Sequence, residues 1–254
     1  MSRLNGRTCL ITGASSGLGA HFARVLSSAG ARVVLAARRK EKVSSLAQDI
    51  EAAGGDALAI DMDVTSEASV IAAYDAVAAA DFGSIDTIIA NAGVSAPGRS
   101  TEVTVEALRA VFDTNLLGVY LTAREGARRM LAAGVRESRR GRIVLIGSMA
   151  ADVSLQGEAA YCASKAGVAH LGRNLAREWV RQGINVNVVQ PGFIATEMAA
   201  DWFASESGKT QIAGFHRRSL QPIGSLDEPV TYLCSDAALH TTGAVFTIDD
   251  GQSL

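Results

Sequence analysis

At 254 residues, with 48% hydrophobic and 20% charged residues, the chain is long enough to bury a large core without disulfide or metal staples. A net charge of −2 gives it no general attraction for nucleic acid or an anionic membrane surface. Three scattered cysteines (Cys9, Cys162, Cys234) lack CxxC spacing, and no segment reads as a secretory leader or a membrane span, so the expected setting is the reducing cytoplasm.

Short β-branched runs alternate with longer helical stretches. Thr8–Ile11 reads as a strand that turns on Gly13, and His21–Ala29 as a helix stopped by Gly30. Arg32–Ala36 is a second strand, followed by a charged helix to about Ala53 and a Gly54–Gly55 turn. Ala57–Met62 is a third strand and Ser66–Ala80 a helix with apolar residues at helical spacing. Ile85–Ala90 forms a fourth strand, and one long helix is expected from Val105 to Ala132. A polar, arginine-rich link at Gly134–Arg140 follows, and the Arg136–Arg142 run reads as a solvated loop. Arg142–Ile146, Ile184–Val189 and Ala244–Ile248 are the last three strands, with a helix at Ala159–Gln182. Apolar strands separated by helices imply βαβ crossovers, hence a doubly wound α/β architecture with a seven-stranded parallel sheet covered on both faces. No linker divides residues 1–254, so one domain is expected, with the irregular stretch Phe193–Leu220 as a substrate lid.

The first strand ends in Thr12-Gly13-Ala14-Ser15-Ser16-Gly17-Leu18-Gly19. Glycines at this spacing let the backbone approach a pyrophosphate, and the helix that follows offers free N–H groups and a favourable dipole. In an α/β chain the first βα turn is where an open sheet binds a dinucleotide. Sheets that bind NAD usually carry an acid at the end of the second strand, yet this one reads Ala36-Ala37-Arg38-Arg39-Lys40. A guanidinium there matches a 2′-phosphate, so the cofactor is expected to be NADP through Arg38, with NAD possible. Asp63, with Val64, either touches the adenine or caps the next helix.

The glycine turn, Asn91-Ala92-Gly93 after the fourth strand, and Tyr161-Cys162-Ala163-Ser164-Lys165 together resemble the classical short-chain dehydrogenase/reductase family from Gly6 to Gly251. The resemblance implies a catalytic tetrad of Asn115, Ser148, Tyr161 and Lys165, with Lys165 also holding the ribose and Asn115 anchoring a relay water. It further implies a nicotinamide border at Pro191, Gly192, Phe193, Ile194 and Thr196, and a homotetramer or homodimer. The chemistry agrees with the residue types. Tyr161 and Lys165 are one helical turn apart, and an ammonium nearby is expected to lower a phenol whose ordinary pKa is near 10. Ser148, at the end of the fifth strand, can polarise a carbonyl. Singly, each residue reads equally well as a packed tyrosine, a surface lysine and a strand-end cap.

The four histidines have no metal spacing with Cys, Asp or Glu, so no metal is expected. Met149, Ala151 and Leu155 follow Ser148 and can line a substrate pocket. Met198, Trp202, Phe203, Ile212 and Phe215 give the lid an apolar character that favours a hydrophobic ketone. Two other functions fit the same motifs. One is a 3-oxoacyl-carrier-protein reductase that meets its acidic carrier through Arg128 and Arg177. The other is a sensor that binds NADP(H) without turnover.

Overall fold

The computed structural model describes residues 3–196 and 200–254. Among them the apolar runs form seven strands: β1 (Thr8–Thr12), β2 (Arg32–Ala37), β3 (Ala57–Asp61), β4 (Thr87–Ala90), β5 (Gly141–Ile146), β6 (Ile184–Pro191) and β7 (Val245–Ile248). All pair in parallel in the order β3-β2-β1-β4-β5-β6-β7, as a Rossmann-like sheet does. The chain order reverses between β1 and β4, and a crevice opens above the carboxyl ends of strands at such a switch point.

The crossover helices are α1 (Gly17–Ser28), α2 (Lys40–Ala52), α3 (Glu67–Ala79), α4 (Val105–Phe112), α5 (Gly118–Ala132), the short α6 (Val135–Ser138) and α7 (Ala159–Trp179). Beyond β6 come α8 (Ala200–Ala204), α9 (Glu206–Gly214) and α10 (Asp227–Cys234). Because side chains alternate along a strand, each strand feeds two cores. Leu10 of β1 joins Tyr74, Ala123 and Val168 under α3, α5 and α7. Cys9 and Ile11 join Phe22, Val43 and Leu233 under α1, α2 and α10. No helix of the described residues is long and apolar enough to cross a membrane.

Three expectations are corrected. The helix α1 begins at Gly17, within the glycine turn itself, four residues before the expected start. The single helix expected over Val105–Ala132 is two helices joined by a π turn at Asp113–Leu117. A π turn inserts one residue into an otherwise continuous apolar pattern, so periodicity does not reveal it. The Arg136–Arg142 run is solvated over Arg136–Arg139, but α6 overlaps its start and Arg142 at its end is only 1% exposed.

Arg142 joins a charge network at the amino ends of the strands, opposite the crevice. Its guanidinium donates to the carbonyls of Ser235, Arg139 and Gly141. Buried Arg7 beside it donates to Thr87 Oγ1 and the Arg140 carbonyl and pairs with Asp86 and Asp236. Burial, reinforced by the charge of Arg7, pushes Arg142 down to about 10. Arg142→Met should remove a donor from each of three carbonyls and cost about 2–4 kcal/mol of stability. An unchanged urea midpoint would show that the network contributes nothing.

Candidate active site

The turn between β1 and α1 closes around two glycines. Gly13 has φ +68°, and a Cβ there would meet Ala92 Cα at 2.9 Å. A Cβ on Gly19 would collide with the Gly13 carbonyl, so α1 can begin this close to the strand only with glycine at that position. Side-chain bonds then tie β1 to β4: Asn91 N and Ala92 N donate to Thr12 Oγ1 at 3.0 and 3.1 Å, and Asn91 Nδ2 donates to the Thr12 carbonyl at 3.0 Å. Gly93 follows in the same loop. At the start of α1, Ser16 makes no capping bond and the first turn, which includes Gly17, Leu18 and Gly19, contains no acid. An uncapped helix start beneath a glycine turn fits a pyrophosphate.

The basic residue over this turn is Arg39. Arg39 reaches back to Ser15 Oγ, through Nε at 3.1 Å and Nη2 at 2.8 Å, and to Ser16 Oγ at 2.6 Å. Arg38, exposed, lies instead toward Asp63. Burial alone would raise the Asp63 carboxyl, but hydrogen bonds from the Thr65 amide and hydroxyl, with the Arg38 charge, hold it below the usual carboxylate range. Asp63 is therefore not the helix cap, because Ser66 accepts from Ser69 N in that role. Val64 packs its side chain against Gly118 and is buried, leaving only backbone for a ligand.

The catalytic candidates converge above β5. Asn115, fully buried, sits inside the π turn. Its Oδ1 accepts from Val94 N at 2.8 Å, and its Nδ2 donates to the Val94 carbonyl at 2.9 Å and Ser164 Oγ at 3.1 Å. One amide thus joins the loop after β4, the α4–α5 junction and α7. Lys165, 4% exposed, donates from Nζ to the Ile146 carbonyl at 2.8 Å, and burial pushes it down to about 8. Its Nζ lies 5.6 Å from the centre of the Tyr161 ring. Ser148 caps a short 3-10 turn through a bond from Ala150 N, and its hydroxyl stands beside the Tyr161 phenol, where it favours the ionised form.

Tyr161 lies under strong burial. Its phenol is raised above the ordinary value: burial dominates, the Ser148 bond opposes it, and the charges of Glu158 and Cys162 add to it. The phenol therefore carries its proton at neutral pH.

The short chain dehydrogenase family model matches residues 7–207. The chain belongs to the short-chain dehydrogenase family. It is 38% identical to a cis-4-hydroxycyclohexanecarboxylate dehydrogenase of Sinomonas cyclohexanicum, over 97% of this chain and 96% of that protein. It is 34% identical to a D-threitol dehydrogenase of Mycolicibacterium smegmatis, over 99% and 95%. A gluconate 5-dehydrogenase from Burkholderia cenocepacia, crystallised with NADP and tartrate, superposes with a TM-score of 0.92 at 30% identity, covering 99% of this chain and 96% of that one.

On the far side of the crevice, this short-chain dehydrogenase braces the end of β6 with two glutamines missed by sequence reasoning. Gln221 Oε1 accepts from Gly192 N at 3.1 Å, and Gln252 Oε1 from Phe193 N at 2.6 Å. Buried Pro191 ends the strand, and Ile194, also buried, bridges to Gln221. Thr196 faces the glycine turn, where a Cβ on Gly17 would lie 4.0 Å from its own Cβ. The aromatic lid residues pack on one another: Phe193 stacks on Phe215 at 5.5 Å and meets Phe203 edge-on at 5.6 Å. Trp202 is 52% exposed, and Met198 lies outside the described residues. His21 pairs with Asp227, and His216 contacts the Leu254 carbonyl.

Lys165 has a consequence for stability. Its pKa is lower in the folded chain than in the unfolded one, so between about 8 and 10 the unfolded state binds more protons and stability gains with rising pH. Relative to a Lys165→Met variant, the native urea midpoint should rise from pH 7.5 to pH 9.5. Parallel pH profiles would show that Lys165 is not a buried cation.

Proposed function

We propose that this short-chain dehydrogenase interconverts a secondary alcohol and its ketone with NADP(H), and that Tyr161 carries the proton. The observation that supports this most is the hydroxyl pair of Tyr161 and Ser148 at the carboxyl end of β5, with Lys165 buried beside it. When bound, the nicotinamide gives or takes the hydride. The protein's own part is the proton. With its pKa raised, Tyr161 is protonated and ready to donate to an oxygen that gains charge, while Ser148 holds that oxygen by a hydrogen bond. In alcohol oxidation the same phenol must accept a proton, and a cationic ring next to it favours the phenolate.

Gly13, Gly17, Leu18 and Gly19 would hold the pyrophosphate, with Ser15 and Ser16 presenting hydroxyls alongside. Arg39, with Arg38, would meet a 2′-phosphate, and Asp63, Val64 and the Asn91-Ala92-Gly93 loop would border the adenosine half. Tyr161 and Lys165 would reach the nicotinamide ribose, and Pro191, Gly192, Ile194 and Thr196 the carboxamide. The Asn115 amide is committed to Val94 and Ser164, so a relay water would depend on its backbone carbonyl. Half-buried Ala151 and Leu155 support a substrate with an apolar skeleton. An apolar groove lined by Phe112, Leu116, Leu117, Tyr120 and Leu171 supports assembly as a homotetramer or homodimer.

Tyr161→Phe should lower kcat for ketone reduction by about 10²–10⁴-fold with the fold intact. Undiminished reduction of every ketone tested would sink the proposal. Arg39→Ala should reduce the preference for NADP over NAD in kcat/KM by roughly tenfold, the size of a charge-assisted bond. If the ratio instead falls only in Arg38→Ala, the 2′-phosphate lies on the other arginine.

A further inference from the structure

One carboxylate beside the catalytic hydroxyls has no part in the proton chemistry. Glu158 precedes α7 and stands one turn before Tyr161, so both side chains lie on the same side of the helix start. Its Oε2 accepts from Ser95 Oγ at 2.6 Å, and Ser95 follows Val94, the residue clamped by Asn115. A second bond, Gly98 N to the Gly157 carbonyl at 2.9 Å, joins the same two segments into one wall of the crevice. Glu158 is only half-buried, and among the described residues it forms no ion pair. Other acids sheltered from bulk water have more than one donor: Asp86 and Glu125 pair with arginines, Asp63 accepts from the Thr65 amide and hydroxyl, and Asp249 from the Gly251 and Ser253 amides. A carboxylate held by one serine keeps acceptor capacity on its second oxygen, and leaving it without a donor in a crevice closed by substrate is costly.

Resting on the dehydrogenase reading above, we infer that Glu158, oriented by Ser95, is a specificity residue that accepts a hydrogen bond from a second hydroxyl of the substrate, next to the carbon that reacts at Tyr161. The substrate class is then a vicinal diol, or its α-hydroxyketone, on a largely apolar skeleton. A substrate with a carboxylate at that neighbouring position is disfavoured by like charge. Ser148 and Tyr161 bind the reacting oxygen and Glu158 the adjacent one, so the pair also fixes which of two hydroxyls is presented for oxidation.

The test compares kcat/KM for cyclohexane-1,2-diol, cyclohexanol and 2-hydroxycyclohexanecarboxylate in the parent, Glu158→Gln, Glu158→Leu and Ser95→Ala. The parent should prefer the diol over cyclohexanol by roughly tenfold or more, as expected for a hydrogen bond to a charged group. The ratio should fall toward one in Glu158→Leu and part-way in Ser95→Ala, where the carboxylate loses its tether. In Glu158→Gln the carboxylate-bearing alcohol should gain on the diol, a charge effect that a merely structural residue would not produce. A diol-to-alcohol ratio that is the same in the parent and in Glu158→Leu overturns the inference. Turnover of cyclohexanol with no diol preference in the parent overturns it too, while leaving the dehydrogenase reading intact. Failure of the parent on every alcohol and ketone with either cofactor sinks that reading and this one together.

Discussion

The site depends on the Asn115 side chain, whose three hydrogen bonds hold three segments far apart in sequence. The amide is wholly buried, so each bond replaces water that cannot reach it, and losing any one would strand a polar group in the interior. The π turn at Asp113–Leu117 is what aims Asn115 at Val94 and Ser164. Through Ser164 it registers α7, and with α7 come Tyr161, Lys165 and Glu158. Through Val94 it registers the loop after β4, which carries Gly93 and Ser95 on either side of it. The two walls of the crevice are thereby set against each other by one residue.

A second constraint acts across the switch point. Thr12 joins β1 to Asn91 and Ala92 at the end of β4, so the glycine turn and the floor of the site move as one body. Lys165 adds a third tie, from α7 to the last residue of β5. Burying an ammonium with one carbonyl partner is costly, as its depressed pKa reports, and such costs are tolerated where chemistry needs a poised charge. The opposite end of the sheet is built differently. There Arg7 and Arg142 are held by carbonyls, the Thr87 hydroxyl and carboxylates, which suits a structural role.

Most of the architecture was legible because parallel strands buried on both faces leave an unmistakable apolar signature, and because Gly13 and Gly19 answer a steric demand that no other residue meets. The set of Ser148, Tyr161 and Lys165 followed from the resemblance to the short-chain dehydrogenases, and only the Tyr161–Lys165 pair from helical spacing. What could not be read depended on three-dimensional register. The π turn is hidden in a helix whose apolar pattern runs unbroken. Arg38 and Arg39 are adjacent basic residues, and only the pleat at the end of β2 decides which one turns back over Ser15 and Ser16. The lid phenylalanines read as a substrate cover, whereas Phe193, Phe203 and Phe215 spend their faces on one another.

The account rests on direct transfer between substrate carbon and nicotinamide at the Tyr161–Ser148 pair. Its most direct test follows the label in a secondary alcohol deuterated at the carbinol carbon, incubated with the protein and NADP. The prediction is one deuterium at C4 of the nicotinamide on a single face, seen by NMR of the reduced cofactor, and no label lost to water. Cofactor that binds but stays unlabelled and oxidised would contradict it and leave a nucleotide-binding protein without turnover.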